Sequence, residues 1–127
     1  MVDYRGIAHS GVIVTRLEPA LAFYVDMLGL ETDPGRPDLG YPGVWLNVGD
    51  QQIHLMALPN PDPTSDRSAH AGRDRHIALS IRGLDELKRR LERHGIAYTM
   101  SRSGRRALFC RDPDGNGLEF IETGGRD

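Results

Sequence analysis

The stretches HSGVIV at residues 9–14 and HIALSI at residues 76–81 start two parts of the chain that follow the same plan. Both begin with His and continue with residues that favour β-structure. In each part a Leu follows eight residues after the His, Leu17 in the first and Leu84 in the second. This Leu starts an amphipathic run that ends at a glycine. This repetition predicts a duplicated unit in which a strand is followed by a helix.

A short apolar strand further along each copy carries a second side chain of a metal-binding type. His54 lies in such a strand 45 residues after His9, and Glu119 lies in one 43 residues after His76. Because the two copies bring these side chains to corresponding places, we interpret the pattern as a metal site with pseudo-twofold symmetry.

The first copy, about residues 6–58, predicts a strand, a helix and a hairpin. Thr15-x-x-Glu18 has the form of a capping box, and Gly29 is the natural end of the helix that follows. The predicted elements are a strand at 7–14, the helix up to Gly29, a turn-rich segment at 33–43, and strands at 44–48 and 51–57 joined by Gly49-Asp50.

Residues 59–74 form the one long irregular stretch, and a loop of that length in a small domain is usually functional or joins two halves. The second copy, about residues 75–122, then repeats the pattern. Its predicted elements are a strand at 75–81, a helix ending at Gly95, and strands at 97–101, 106–111 and 117–121. Each copy reads β-α-β-β-β and is too small to bury its own apolar surface. We therefore predict an α+β fold of paired βαβββ modules in one domain over residues 1–127.

Alternation along the strands predicts which side chains face a cavity. Where apolar residues occupy every second position and pack on the helices, the intervening positions face the other way. This reasoning places His9, His54, His76 and Glu119 on the side that a small molecule can reach. Three imidazoles and a carboxylate suit a divalent ion such as Zn²⁺, Ni²⁺, Fe²⁺, Mn²⁺ or Co²⁺.

Other side chains with chemical potential have simpler interpretations. His70 and His94 are predicted to lie at the surface, with entry into a closed site as the alternative for His70, and Glu31 and Glu122 are predicted to be solvated. Cys110, the one cysteine, is predicted to be a buried thiol of a protein from a reducing compartment. No Ser-His-Asp order and no CxxC motif supports nucleophilic catalysis or a structural zinc site.

The composition predicts a soluble globular protein. Hydrophobic residues make up 39% and charged residues 27% of the 127 residues, and a net charge of −2 argues against a surface for nucleic acid or membrane. No apolar run approaches the roughly 18 residues needed to span a bilayer, and the N-terminus has no signal-peptide pattern. We predict a cytoplasmic location.

Blocks along nearly the whole chain resemble the vicinal oxygen chelate superfamily, which contains glyoxalase I, bleomycin-resistance proteins and extradiol dioxygenases. The blocks are HSGVIVTRL (9–17), FY (23–24), LGL (28–30), QIHL (52–55), RHIAL (75–79) and RDPDGN (111–116) ahead of Leu118-Glu119. The resemblance implies paired βαβββ modules around a divalent metal, the glyoxalase-like fold. For a chain of this size it also implies a homodimer with ligands from both subunits.

Within the superfamily, the chain is most similar to lactoylglutathione lyase (glyoxalase I)-like proteins. That similarity implies His9, His54, His76 and Glu119 as metal ligands and Glu119 also as the catalytic base. The chain departs from the pattern at His54, where glyoxalase I generally has Glu, and at Ile13, where an Arg usually binds the glutathione carboxylate. Loss of that contact costs about 1.5–3 kcal/mol of binding, which argues against glutathione or another thiol as cosubstrate.

The function predicted from the resemblance is that of a divalent-metal-dependent lyase or isomerase. It would act on a small oxygenated substrate through a metal-bound enediolate. Two alternatives stay open: an Fe(II) ring-cleaving dioxygenase, since two His and one carboxylate are also the oxygenase arrangement, and a resistance protein of the same fold that binds a drug or metabolite. The expected partners are the small-molecule substrate and a second copy of the chain.

Overall fold

Two four-stranded sheets, one from each copy, make up the chain. The computed structural model describes residues 1–62 and 64–124, so Pro63 of the predicted linker and the last three positions of the predicted domain lie outside the described residues. The first sheet has the order β1-β4-β3-β2, with β1 His9–Val14, β2 Glu31–Asp33, β3 Gly43–Val48 and β4 Gln51–Ala57. The second has the order β5-β8-β7-β6, with β5 His76–Ile81, β6 Tyr98–Met100, β7 Ala107–Arg111 and β8 Gly117–Glu122.

In each copy the first strand along the chain pairs in parallel with the last one, β1 with β4 and β5 with β8, and the two pairs have the same register. Gly11 of β1 lies opposite His54 of β4, and Ala78 of β5 lies opposite Glu119 of β8. All other pairs in the two sheets are antiparallel. The predicted βαβββ repeat is therefore confirmed, including the predicted hairpin between β3 and β4.

One helical segment follows the first strand of each copy. Helix α1 begins as an α-helix at Leu17–Leu21 and continues as a π-helix at Ala22–Met27, and helix α2 spans Leu84–Arg93. Pro19 lies in the first turn, where its missing N–H costs no helical hydrogen bond. Among the described residues, neither helix is long and apolar enough to cross a membrane.

The predicted capping box does not form. Helix α1 is preceded by Arg16, without a side-chain cap, and Glu18 pairs loosely with Arg16 at 3.9 Å. Thr15 instead binds the carboxylate of Asp114, which accepts hydrogen bonds from both the Thr15 hydroxyl and the Thr15 backbone N–H, the latter at 3.0 Å. The ionised acceptor from the other module makes a stronger hydrogen bond than a neutral cap, which is why the local motif is lost.

The β-α-β-β-β plan implies a strand between helix α1 and β3 whose position was not predicted, and the structure places this strand at Glu31–Asp33. It is short and polar, and it forms because β3 offers it a partner, with Glu31 opposite Asn47. The predicted turn-rich segment therefore begins inside a strand. The remaining predicted bounds differ by at most two residues, which is the usual uncertainty at element ends.

A single apolar core joins the two copies. Alternate residues of both sheets and the inner faces of both helices contribute to it. Its members include Val12, Val14, Phe23, Tyr24, Met27, Leu46, Ile53 and Leu55 from the first copy and Leu79, Leu84, Leu87, Leu91, Leu108, Leu118 and Phe120 from the second. Cys110 also lies in this core, and burial raises the pKa of its thiol to about 12, so the prediction of an unreactive buried thiol is confirmed.

The RDPDGN block connects the two copies through one buried carboxylate. Asp112 accepts hydrogen bonds from the Tyr24 hydroxyl at 2.7 Å and from the Asn116 side chain at 2.9 Å. The backbone N–H groups of Asp114 and Asn116 donate to the other oxygen. The Asn116 amide also donates to the carbonyl of Ile13 in β1, at 3.0 Å. Burial raises the pKa of Asp112 in spite of these hydrogen bonds, so the network is what keeps this carboxyl group satisfied inside the protein.

We predict that Tyr24→Phe lowers the free energy of unfolding by about 1–2 kcal/mol, because a buried acceptor loses one donor. Urea denaturation measures the change. Tyr98→Phe is the matched control, since the Tyr98 hydroxyl donates to Glu92 at the surface and its loss is expected to cost less than about 0.5 kcal/mol. Equal losses in the two variants would contradict the assigned role of Asp112.

Candidate functional site

The first sheet presents a stack of three rings on the face opposite the core. The His9 and His54 rings lie parallel with centroids 3.9 Å apart, and the Trp45 ring lies on His54 at 4.3 Å with an interplanar angle of 9°. The stack follows from the register, because Trp45 and Gly11 are the two cross-strand neighbours of His54. Gly11 has no side chain to separate the rings.

A chain of hydrogen bonds determines which nitrogen of His54 is free. Gln52 donates through its amide nitrogen to Asp33 at 2.8 Å and to Asn47 at 3.0 Å, so its oxygen faces His54. The Nε2 of His54 therefore donates to the Gln52 oxygen at 2.8 Å, and the lone pair of the neutral ring is on Nδ1.

The His54 ring is held in its neutral form. Burial lowers the pKa of His54, and the neighbouring His9 and Arg36 lower it further. A neutral imidazole is the form that binds a metal ion. The hydrogen-bonded partner behind it is typical of histidines that serve as metal ligands.

The second sheet brings His76 and Glu119 together. Nδ1 of His76 donates to the carbonyl of Asp74 at 2.9 Å, which leaves Nε2 facing Oε1 of Glu119 at 3.1 Å. When the ring is neutral, two acceptor atoms face each other at this contact. A proton or a metal cation between them makes the arrangement favourable. A positive charge between the two side chains would therefore stabilise this contact.

Glu119 is the most deeply buried member of the set. Its side chain is only 4% exposed, and its second oxygen, Oε2, accepts a hydrogen bond from Nη2 of Arg105 at 3.1 Å. A buried carboxylate requires such partners, because burial of an isolated charge is very costly. Nothing in the sequence pattern pointed to Arg105, which lies in the turn between β6 and β7.

His70 is buried beside this pair, so its predicted surface position is wrong. The residue is 8% exposed, its ring meets the edge of Phe109 at 4.7 Å, and Nδ1 lies 2.6 Å from the hydroxyl of Thr99. Phe109 also contacts His76 edge to face, at 5.3 Å. The signal for this burial was the strand register, because Thr99 faces Phe109 across the sheet and Phe109 faces Glu119.

Asp74 anchors the segment that leads into β5. Its carboxylate accepts hydrogen bonds from Arg67 at 2.6 Å and from Arg111 at 3.0 Å, and these partners hold the pKa of Asp74 far below its usual range. Since Asp74 also accepts the hydrogen bond from His76, the ion pairs position the carbonyl that orients this imidazole.

A cleft of about 460 Å³ opens next to the ring stack. Arg36, Leu39 and Tyr41 contribute to its wall along with Trp45 and Met56, and the guanidinium of Arg36 lies 5.2 Å from the centre of the Tyr41 ring. The mixed aromatic and cationic wall is suited to a small polar molecule. Arg36 and Tyr41 come from the turn-rich segment, which has no periodic pattern from which a site can be read.

The two pairs of predicted ligands lie in different sheets. Within residues 1–62 and 64–124, no group of three or more His, Cys, Asp or Glu side chains of one chain is arranged to hold a metal ion. The assignment of His9, His54, His76 and Glu119 as ligands of one metal therefore stays a prediction.

The remaining candidate residues have structural or surface positions. His94 is exposed and contacts the carbonyl of Arg90, and Glu31 is exposed in β2. Glu122 accepts a hydrogen bond from the backbone N–H of Leu84 at 3.0 Å, so it stabilises the start of helix α2.

Two βαβββ modules, each with a pair of potential metal ligands on one sheet face, define a protein of the vicinal oxygen chelate class. The chain belongs to the Glyoxalase/Bleomycin resistance protein/Dioxygenase superfamily, whose family model matches residues 6–120.

Individual relatives agree with this membership. Glyoxylase I 4 of Arabidopsis thaliana is 28% identical over 117 residues, which cover 88% of this chain and 67% of that protein. The structure of a protein from Bacillus anthracis assigned to the glyoxalase family superposes with a TM-score of 0.77 at 31% identity, covering 96% of this chain and 98% of the other. The structure of lactoylglutathione lyase from Agrobacterium tumefaciens superposes with a TM-score of 0.66 at 25% identity, covering 98% and 100%.

We predict that the fluorescence of Trp45, the one tryptophan, falls as His54 becomes protonated, since an imidazolium stacked on indole quenches its emission. The lowered pKa of His54 means that the midpoint in metal-free protein lies below the usual value of about 6.5. A fluorescence titration from pH 8 to pH 4 measures it.

His54→Gln is expected to abolish this transition, and His94→Gln, at the exposed end of helix α2, to leave it unchanged. A midpoint at or above the usual value, or a transition that survives in His54→Gln, would show that the stack does not control the titration.

Proposed function

We propose that the chain is a divalent-metal-dependent lyase or isomerase of the glyoxalase I-like type, acting on a small oxygenated substrate. The observation that carries the proposal is the contact between His76 and Glu119. A buried carboxylate faces Nε2 of the His76 imidazole at 3.1 Å, and the other ring nitrogen is held by the Asp74 carbonyl. This arrangement is typical of metal ligands with a fixed outer partner.

The donor set suits a divalent ion of the first transition series or zinc. His54 and His76 each have one nitrogen engaged by a protein acceptor and the other available. His9 adds a third imidazole beside His54, and Glu119 adds a carboxylate oxygen. Imidazoles with one carboxylate bind Zn²⁺, Ni²⁺, Fe²⁺, Mn²⁺ or Co²⁺, and no thiolate is present to favour a soft metal.

Two copies of the chain would together build each site. His9 and His54 lie on the first sheet and His76 and Glu119 on the second, so one copy is proposed to provide the first pair and its partner the second. A closed twofold dimer of this kind contains two equivalent sites. The four ligands can then meet although they are apart within one chain.

The proposed reaction moves a proton between adjacent carbons of an oxygenated substrate. A bound divalent ion would supply Lewis-acid stabilisation of the oxygen atoms beside those carbons. Glu119 accepts the proton at a carboxylate oxygen from one carbon and returns it to the other. Phe109, which lies opposite Glu119 in the sheet and contacts both His70 and His76, would limit the access of water to the carboxylate. Trp45 and Tyr41 in the cleft beside His54 would contact the rest of the substrate.

Subunit complementation tests the shared site. One variant carries His9→Ala with His54→Ala, and the other carries His76→Ala with Glu119→Gln. Each alone is expected to bind no metal. After refolding of an equal mixture, each mixed dimer has one complete site, so the metal content measured by plasma mass spectrometry should return to about a quarter of the wild-type value.

A chain with all four substitutions, refolded with the wild type, is the control once its mixed dimers have been separated from the wild-type homodimers, because none of these mixed dimers contains more than a half-complete site. If verified mixed dimers of the two double variants contain no metal, the pair His9 and His54 and the pair His76 and Glu119 do not form one shared site. Full metal content in either double variant would show that the substituted residues are not ligands.

Catalysis is tested with methylglyoxal and glutathione by the formation of the thioester. We predict that Glu119→Gln lowers whatever rate the wild type shows by at least about 100-fold, since it removes the proton-transferring group. Glu31→Gln, an exposed carboxylate on the first sheet, is expected to keep the wild-type rate.

Other outcomes of the same assay point to the alternatives. No rate above background would remove glyoxalase I activity itself, which is also the consequence expected if Ile13 prevents glutathione binding. Turnover of another substrate that requires Fe²⁺ and O₂ would indicate a dioxygenase. Tight binding of metal and ligand without turnover would indicate a binding protein.

A further inference from the structure

We infer that Arg105 has two alternating roles: it neutralises Glu119 while no metal is bound, and it binds an anionic group of the substrate once Glu119 is a metal ligand. The inference rests on the proposed function, because it assumes that Glu119 binds a metal. It adds the chemical class of the substrate: a small molecule that has oxygen atoms on adjacent carbons and also a negatively charged carboxylate or similar oxyanion.

The geometry of Glu119 is the first support. Its two oxygens have different partners, since Oε1 faces His76 and Oε2 accepts the hydrogen bond from Arg105, both at 3.1 Å. The Glu119 side chain is 4% exposed, whereas the Arg105 side chain is 57% exposed. A guanidinium reaches in from the solvent side and compensates a carboxylate that the sheet has buried.

Arg105 can leave without disturbing the fold. It lies in the turn between Met100, the end of β6, and Ala107, the start of β7. Its other side-chain hydrogen bond goes from Nε to the hydroxyl of Ser103 in the same turn, at 3.2 Å. Neither contact involves the apolar core, so movement of this side chain removes a partner from the buried Glu119 but leaves the apolar packing unchanged.

Charge prevents Arg105 from keeping its place when a metal is bound. The guanidinium stays protonated at any ordinary pH, and a divalent ion on the same carboxylate would lie within a few ångströms of it. Two positive charges at that separation repel strongly in a partly buried site. We therefore expect Arg105 to turn away from Glu119 when the metal is bound.

The turn contains no acidic residue with which a released Arg105 could form an ion pair. Residues 101–106 read SRSGRR, with three arginines and no Asp or Glu. Of the other two, Arg106 is already paired with Asp85 and Glu122. A released Arg105 thus presents a planar group of five donors at the mouth of the site, the geometry that carboxylates and phosphates prefer.

This role also fits the position where the chain departs from glyoxalase I. The side chain of Ile13 in β1 carries no charge with which to bind an anion. Arg105 would place that charge on the opposite module, next to the carboxylate that transfers the proton.

The experiment measures metal affinity and anion affinity in the same variants. Quenching of Trp45, which is stacked on the proposed ligand His54, reports the titration of chelator-treated full-length protein with Ni²⁺. In Arg105→Gln the competing cation is absent, so we expect Ni²⁺ to bind about three- to tenfold more tightly than in the wild type. Arg102→Gln is the matched control for loss of a positive charge in the same turn and should bind Ni²⁺ as the wild type does.

The anion arm uses glycolate and hydroxyacetone with the Ni²⁺-loaded proteins. Both probes have oxygen atoms on adjacent carbons, but only glycolate is charged. The wild type and Arg102→Gln should prefer glycolate, and Arg105→Gln should lose this preference about three- to tenfold while binding hydroxyacetone as before. Arg105→Lys, which keeps the charge but not the planar fork, should restore part of it.

Tighter metal binding together with weaker glycolate binding is a combination that a merely structural role does not produce. Unchanged affinities in Arg105→Gln, or a loss of both, would overturn the inference and leave the proposed metal site standing. Failure of the wild type to bind Ni²⁺ would overturn the proposed function and this inference together.

Discussion

Parallel pairing between the first and last strands of each module is the interaction on which the site depends. It sets His54 opposite Gly11 and Glu119 opposite Ala78, so each of these side chains is a diagonal neighbour of the His that begins the first strand. A shift of one residue in either pairing would turn the side chain toward the core. The network around Asp112 ties the modules together at the ends of these strands, which gives the polar loop sequence RDPDGN a structural purpose.

The two modules use the same backbone plan for different chemistry. In the first, His9, His54 and Trp45 form an open stack of rings. In the second, Glu119 is buried behind Phe109 and needs a positive partner, which Arg105 supplies. The symmetric frame therefore holds the acidic ligand on one side only, the side proposed to transfer the proton.

Much of this fold could be predicted from the sequence because strand alternation is a local property. The strands, both helices and the outward face of the four proposed ligands follow from residues close to one another in the chain. Predictions were wrong where a distant group competed with a local one. Thr15 binds Asp114, 99 residues away, and does not cap its own helix. His70 is buried because Thr99 and Phe109 receive its ring, and Arg105 acquires a role only through a carboxylate on another strand.

The charges near Glu119 favour an anionic ligand for a reason that does not depend on which divalent ion is bound. Three neutral imidazoles and one carboxylate neutralise only half of a divalent charge. Arg105 adds a further positive charge at the rim. A neutral ligand would leave this excess uncompensated in a partly buried site, whereas an oxyanion reduces it and also satisfies the donors of the guanidinium. The positive charge that the proposed metal ligands do not neutralise therefore favours an anionic substrate. Arg105, in the turn between β6 and β7, adds to this preference.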